Sequence, residues 1–459
     1  MVKHKLAIDY NASRPIGVLS PDPYNFLILD MLFDDIQIVT PRQQNWLRDL
    51  PLKAKVTSLN LNKLTPGENI GKFVTTKKFI EMFKADPRRK YPLYSPLDPP
   101  YKVNPLTYLM NSPTIAHAYE NKRYFRDEFA DLIKVPEYEI KYMNELDRAA
   151  SYRELRERFG GAFMLQDEES SGSKGSYAIH NEDDYVDAVK SLKKYSQGRT
   201  VVASQFVRGE VSSIQVCITK YGIFSGGIQR QLVDSKYLCN PKLEGATRWC
   251  GGEIGAEYPD IVQHRAQEIA SVIGSELSSH GYKGVFGVDL IVTPEDEVYA
   301  IEINARLTGY SHIISDMQML NGKIPFMLLH ILELGNYRYE VTDTEALPSA
   351  ARYKKPGSLM ILNNQSSEDF VLKQYIRPGI YKLVGDRVEF VKDGYSLKDC
   401  RSGEDTMVIM CRYNEGETIE RGKRILKIMK LGKTMKGSDL NPKAQQLVSA
   451  IKTTFNLPG

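Results

Sequence analysis

Residues 283–309 read KGVFGVDLIVTPEDEVYAIEINARLTG. Two apolar runs, 287–292 and 298–304, flank a polar turn at 293–296, a pattern that folds as a β-hairpin. Each run is broken by one acid, Asp289 in the first and Glu302 in the second. Side chains repeat every second residue along a strand, so Glu302 and Asn304 share a face, and antiparallel pairing can bring Asp289 to it. Two carboxylates and an amide oxygen make a hard-oxygen site suited to Mg²⁺, with Mn²⁺ as the alternative. Arg306 follows and offers a planar fork of donors for a carboxylate or phosphate. A single carboxylate would be explained as a strand-entry charge or a solvated edge. Two acids, an amide and a guanidinium in one hairpin favour the metal–phosphate reading.

At 459 residues the chain has room for two to four domains. The hydrophobic share of 42% and the charged share of 26% are those of an ordinary soluble protein. A net charge of +4 argues against coating by nucleic acid and permits a local basic site for small anions. The five cysteines (Cys217, Cys239, Cys250, Cys400, Cys411) form no CxxC pair and suit reduced thiols in a cytosolic enzyme. The seven histidines show no zinc spacing. The first residues lack the apolar core of a signal peptide, and no apolar run is long enough to span a bilayer. The apolar stretch 324–334 is short, contains His330 and Glu333, and reads as a buried helix.

Residues 1–110 alternate short strands (6–8, 36–39) with helical patterns and read as a small α/β unit, and the proline-rich 84–105 reads as a crossover. After Pro113 a helical stripe carries Phe125, Phe129, Leu132 and Ile133. Lys122 opens that helix, where the helix dipole favours anions, although a solvated lysine reads the same way. A strand at 163–165 enters the loop 166–176 and returns at 177–179. Ser173, its neighbouring glycines and Lys174 can approach phosphates, although such a loop often serves only as a connection. A helix at 183–194 turns Tyr185, Val186, Val189 and Leu192 inward. The buried strand 200–207 ends in Gln205, Phe206 and Val207, whose backbone could read an adenine edge, with Glu210 placed for ribose hydroxyls or simply as a turn carboxylate. A long amphipathic helix covers 261–277. Beyond about 350, short strands and turns predict a β-rich region that ends in a basic, mobile tail at 430–443. Neither GxxxxGK[ST] nor GxGxxG is present in the right context, which disfavours P-loop and dinucleotide sites.

Taken in order, the lysine-bearing helix, the strand with its Ser/Gly loop, the hinge strand with its trailing glutamate and the D…ExN hairpin with Arg306 resemble the ATP-grasp superfamily. The resemblance covers about residues 111–335. It implies an α/β (α+β) fold with a pre-ATP-grasp domain over 1–110, a lid over about 137–207, and a β-rich accessory domain over 336–459. It further implies that Asp289, Glu302 and Asn304 hold Mg²⁺ on ATP. Lys122, Ser173 and Lys174 would meet phosphates, Gln205, Phe206 and Val207 adenine, Glu210 ribose, and Arg306 an acyl phosphate. Gln166 stands where most relatives carry lysine, and Ser204 where many carry an acid. Glutamine at the first position, the chain length and Trp249-Cys250-Gly251-Gly252 are similar to pheganomycin-type peptide ligases. The region 379–428 resembles the β-rich cap of biotin-carboxylase-like enzymes. The implied activity is ATP-dependent amide formation between small carboxylate and amine substrates, amino acids or short peptides, with Arg230 and Arg248 as candidates for a substrate carboxylate. A biotin-carboxylase-like enzyme and a non-catalytic nucleotide-binding regulator are the alternatives. No nucleic-acid or membrane partner is implied, and a homodimer through the first or last domain is compatible with the sequence.

Overall fold

The computed structural model describes residues 7–11, 15–20, 23–61, 76–94, 108–148, 150–170, 175–195, 200–240, 248–348, 353, 356–400 and 406–458. Near the N-terminus, Ile16–Leu19, Ile36–Thr40 and Lys55–Ser58 form a parallel three-stranded sheet. The strand expected at 6–8 is Ile8–Tyr10, and it leaves that sheet to pair with Tyr339–Val341.

A four-stranded antiparallel sheet follows in the spatial order Tyr138–Tyr142, Thr200–Gln205, Phe163–Asp167, Ser176–Ile179. Phe163, Leu165, Val201 and Ala203 on one face pack with Leu155 of the helix Ser151–Arg158 and with Tyr185, Val189 and Leu192 of the helix Glu182–Tyr195. Val186, expected to point inward, is 58% exposed. Its place on the helix falls between the turns that touch the sheet. Met164, Gln166 and Ser204 on the other face border a large cavity.

The floor of that cavity belongs to an eleven-stranded sheet. Its path runs Val298–Asn304, Gly284–Val292, Glu210–Thr219, Gln229–Val233, Trp249–Ile254, and on into Gly357–Asn363 and Arg424–Leu431. The helix Asp260–Ser279 covers its back through Val262, Ala266, Ile269, Ile273 and Leu277. The ladder passes into the C-terminal strands at Gly251, whose φ is +106° and where a Cβ would lie 2.0 Å from the Leu359 carbonyl oxygen. Only glycine permits that approach. The apolar stretch 324–334 is the buried helix Phe326–Leu334.

Two further expectations are corrected. The single helical stripe after Pro113 is two helices, Pro113–Glu120 and Lys122–Phe129, and Leu132 beyond them is 59% exposed. Asn121 divides the helices, its side chain accepting from the backbone N–H groups of Arg123 (3.0 Å) and Tyr124 (2.9 Å). The basic segment 430–443 is not a mobile tail. It contains the end of the strand Arg424–Leu431, a hairpin of Met435–Lys436 with Asp439–Leu440, and the start of the helix Pro442–Phe455. Leu447, Val448 and Ile451 of that helix are core residues, a stripe masked in the sequence by the flanking lysines.

Candidate active site

In the hairpin, Asp289 stands directly opposite Glu302 and Gly287 opposite Asn304. The register then shifts, because Leu290 pairs with Ala300 and Ile301 is the extra residue. This bulge reconciles two demands. Val298, Ala300 and Ile303 are buried in the core, while Ile301, Glu302 and Asn304 all reach the cavity. Strict alternation would have sent Ala300 and Glu302 to the same side; one extra residue reverses the phase.

Asp289 accepts from Gln231 Nε2 (2.8 Å) and Asn304 Nδ2 (3.0 Å), and Arg306 donates to Asn304 Oδ1 (2.7 Å). Burial, and then the facing charge of Glu302, push the Asp289 carboxyl up to about 7. The amides and Arg306 pull the other way without cancelling this. Arg306 is also ion-paired with Glu120 at 3.1 Å.

The helix Lys122–Phe129 faces this pair. Phe125 and Phe129 enter the apolar core, and Lys122 and Arg126, four residues apart, lie on the polar side. Lys122 is 2% exposed, so the solvated alternative fails. Its ammonium sits 3.3 Å from Glu302 Oε2 and donates to the Ser170 carbonyl. Its N–H donates to the Glu168 carbonyl, which ties the helix to the loop after Phe163–Asp167. Arg126 was not singled out in the sequence, although its spacing from Lys122 was the available signal. It is 1% exposed, borders the cavity, and donates to the Lys122 carbonyl (2.9 Å) and to Gln166 Oε1 (2.8 Å). Burial pushes this guanidinium down to about 10, and its Nε has no partner.

Gln166 Nε2 in turn donates to Ser176 Oγ at 3.2 Å. Gln205, Phe206 and Val207 border the cavity, and residues 206–208 lie outside any sheet ladder. Glu210 accepts from the Tyr258 hydroxyl and pairs with Arg230 Nε at 2.8 Å. Arg230 therefore stands beside Glu210, and both lie outside the cavity lining. Arg248 also lies outside that lining, with Nη1 donating to the Gly422 carbonyl at 2.9 Å. Ser173 and Lys174 fall outside the described residues. The cavity measures about 730 Å³, and Asp289, Glu302, Asn304, Arg306, Gln166 and Arg126 all open onto it. That volume falls in the range of cofactor and small-ligand clefts.

Among the described residues, no three His, Cys, Asp or Glu side chains gather into a metal cage. The hairpin instead offers two carboxylates and one amide, all oxygen-bearing. The mutual repulsion of those carboxylates is what a bound cation would relieve, so the donor set fits a hard cation that also takes phosphate oxygens.

Comparison with known proteins agrees with this geometry. Residues 119–310 match the family model of the ATP-grasp domain. One stretch of 100 residues is 32% identical to the L-propargylglycine–L-glutamate ligase of Streptantibioticus cattleyicolor. That alignment spans 21% of this chain and only 20% of the relative's length. Among solved structures, the biotin carboxylase domain of the Hydrogenobacter thermophilus 2-oxoglutarate carboxylase, crystallised with MgADP and bicarbonate, superposes with a TM-score of 0.59 at 10% identity, over 91% of this chain and 85% of that one. The Thermotoga maritima phosphoribosylamine–glycine ligase gives 0.56 at 13% identity, over 95% and 96%. These likenesses show that the fold of those proteins extends over nearly the whole chain. No helix among the described residues is long and apolar enough to cross a membrane.

Proposed function

We propose that the protein is an ATP-dependent carboxylate–amine ligase that joins amino acids or short peptides. The observation that carries this reading is the Asp289–Glu302 pair, set across one rung of the hairpin at a cavity that Arg126 also lines, with the Lys122 ammonium 3.3 Å from Glu302. Asp289, Glu302 and Asn304 would hold Mg²⁺, which when bound neutralises phosphate charge. Lys122 and Arg126 would take phosphate oxygens, Arg126 supplying the charge that Gln166 lacks. The backbone of residues 205–207 would seat adenine, with Glu210, fixed by Arg230 and Tyr258, at the ribose.

Arg306 orients the acid substrate. A carboxylate oxygen attacks the γ-phosphorus, the bond to the bridging oxygen breaks, and ADP leaves. The amine nitrogen then attacks the acyl carbon, phosphate departs, and the amine loses its proton. The route needs two steps because a carboxylate is a poor electrophile. The contribution of the chain is positioning and fixed charge. The four-stranded sheet roofs the cavity and excludes water from the acyl phosphate. The name of the curated relative, a ligase of two amino acids, supports the substrate class.

An ADP-release screen over pairs of amino acids, wild type beside Glu302→Ala, tests this. Amine-dependent release that disappears in the variant is expected. Equal release by both proteins would reject the metal assignment, and release that needs bicarbonate and biotin instead of an amine would replace the ligase by a carboxylase.

A further inference from the structure

The cavity has a second cationic wall, remote in sequence from the ATP-grasp domain. Arg424 and Lys427 lie on the strand Arg424–Leu431 and are three residues apart, a spacing that puts side chains on opposite faces of a regular strand. Here the register against Gly357–Asn363 shifts between Leu362 and Asn363, whose partners are Leu426 and Arg424. The extra residue, Ile425, restores the phase, and both cations border the cavity.

Their surroundings are those of a built site. Lys427 is 3% exposed, donates to Asn25 Oδ1 at 2.5 Å and lies 4.2 Å from the centre of the Tyr24 ring. Arg424 donates through Nη1 to the Tyr24 hydroxyl at 2.8 Å, and its buried Nε has no partner. Both Arg306 and Arg424 favour ionisation of the Tyr94 phenol, against a larger effect of burial, so Tyr94 stands within reach of both guanidinium groups. Beneath them His312 is held well below its usual range by burial and then by Lys427 and Arg424, and neither of its ring nitrogens has a partner. A neutral imidazole there adds no further positive charge beside the two cations. Two cations that line one cavity favour a ligand group of opposite charge.

We propose that Arg424 and Lys427 form a subsite for a second anionic oxygen group, carboxylate or phosphate, on the acid substrate. This rests on the ligase reading and specifies its substrate class: a small dianion, with one carboxylate at Arg306 facing the hairpin and the other anionic group at the C-terminal wall. Both basic residues and their partners Tyr24 and Asn25 come from outside the ATP-grasp domain, so the flanking regions select the substrate.

The test is calorimetric titration of the full chain, without nucleotide, using pairs that differ by one anionic group: L-glutamate against L-glutamine, and O-phospho-L-serine against L-serine. Wild type is expected to prefer at least one dianion by about 10-fold or more. Which dianion wins distinguishes carboxylate from phosphate. Arg424→Gln and Lys427→Met should shrink the preference to about twofold, and Arg424→Lys should keep part of it. Unfolding temperatures verify that each variant is folded, and Arg424→Lys serves if Arg424→Gln is not. Equal affinity within each pair, no binding of either dianion, or an unchanged preference in the folded variants overturns the subsite. Because no ATP is present, this result is independent of the ADP-release screen: turnover of dianionic acids by Arg424→Gln at the wild-type rate sinks the subsite and leaves the ligase standing, whereas a dianion preference without any ADP release does the reverse.

Discussion

On one face of the acidic hairpin, Val288, Leu290, Ala300 and Ile303 are fully buried and pack toward the helix Asp260–Ser279. On the other face, Asp289 and Glu302 confront each other across the ladder, and Asp289 is held with a raised proton affinity as a consequence. The first arrangement stabilises the fold by removing apolar surface from water. The second opposes it, because like charges brought together in a partly dry cleft repel. The helix Lys122–Phe129 repeats the division, with Phe125 and Phe129 toward the core and Lys122 and Arg126 toward the charges. Two adjacent faces of the same backbone thus differ, one stabilising the fold and one gathering charge at the cavity, and substitutions should separate them.

The largest effect is expected on the charged face. Glu302→Ala should lower ADP release about 1000-fold, comparable to losing a principal charge-stabilising group. Its thermal midpoint should change little, since the repulsion with Asp289 that is removed and the ion pair with Lys122 that is lost oppose each other. A fall of many degrees, seen by calorimetry, would contradict the division. Ile303→Ala, one residue away on the apolar face, should do the opposite. Urea denaturation should show a loss of about 3 kcal/mol, while the KM for ATP stays within about twofold of wild type. Arg126→Met removes a buried cation from the cavity wall. Steady-state assays should find kcat/KM for ATP reduced about 30-fold, with Arg126→Lys recovering part of it.

The smallest effect is the most specific. With Asp289 at about 7, a cation that uses this carboxylate, as proposed, must displace its proton. Mg²⁺ affinity should therefore rise with pH, by about 10-fold from pH 6 to pH 8, and level off above that. Asp289→Asn should bind weakly and flatten the profile. A wild-type affinity independent of pH over this range, measured by titration, would mean the cation does not use Asp289.

Much of the hairpin was legible from sequence because its information is local. Alternation put Glu302 and Asn304 together, and the interrupting acids marked the face. The bulge at Ile301 was not legible, since it depends on how Ala300 and Ile303 must both reach a core made by the helix Asp260–Ser279. Lys122 was singled out as an anion-binding residue, but nothing in its neighbourhood announced that it would be almost completely buried. Arg126 was missed because a lysine- and arginine-rich helix looks the same whether its charges face solvent or a cavity. The segment 430–443 misled for a related reason: its lysines sit on the exposed sides of a strand and a helix whose apolar residues face the C-terminal core.

The sequence by itself determined the strands, the turn and the chemical kind of the cavity-facing groups, because these follow from periods of two and from residue type within a few positions. Only the tertiary structure decided which charges meet. Lys122 reaches Glu302, Arg126 reaches Gln166, and Arg424 and Lys427 reach a cavity floored by a hairpin more than a hundred residues earlier. Pairing of that range is set by sheet order and bulges, and the force that selects it is burial of apolar faces on the far side of the same strands, which leaves no mark beside the charged residues themselves.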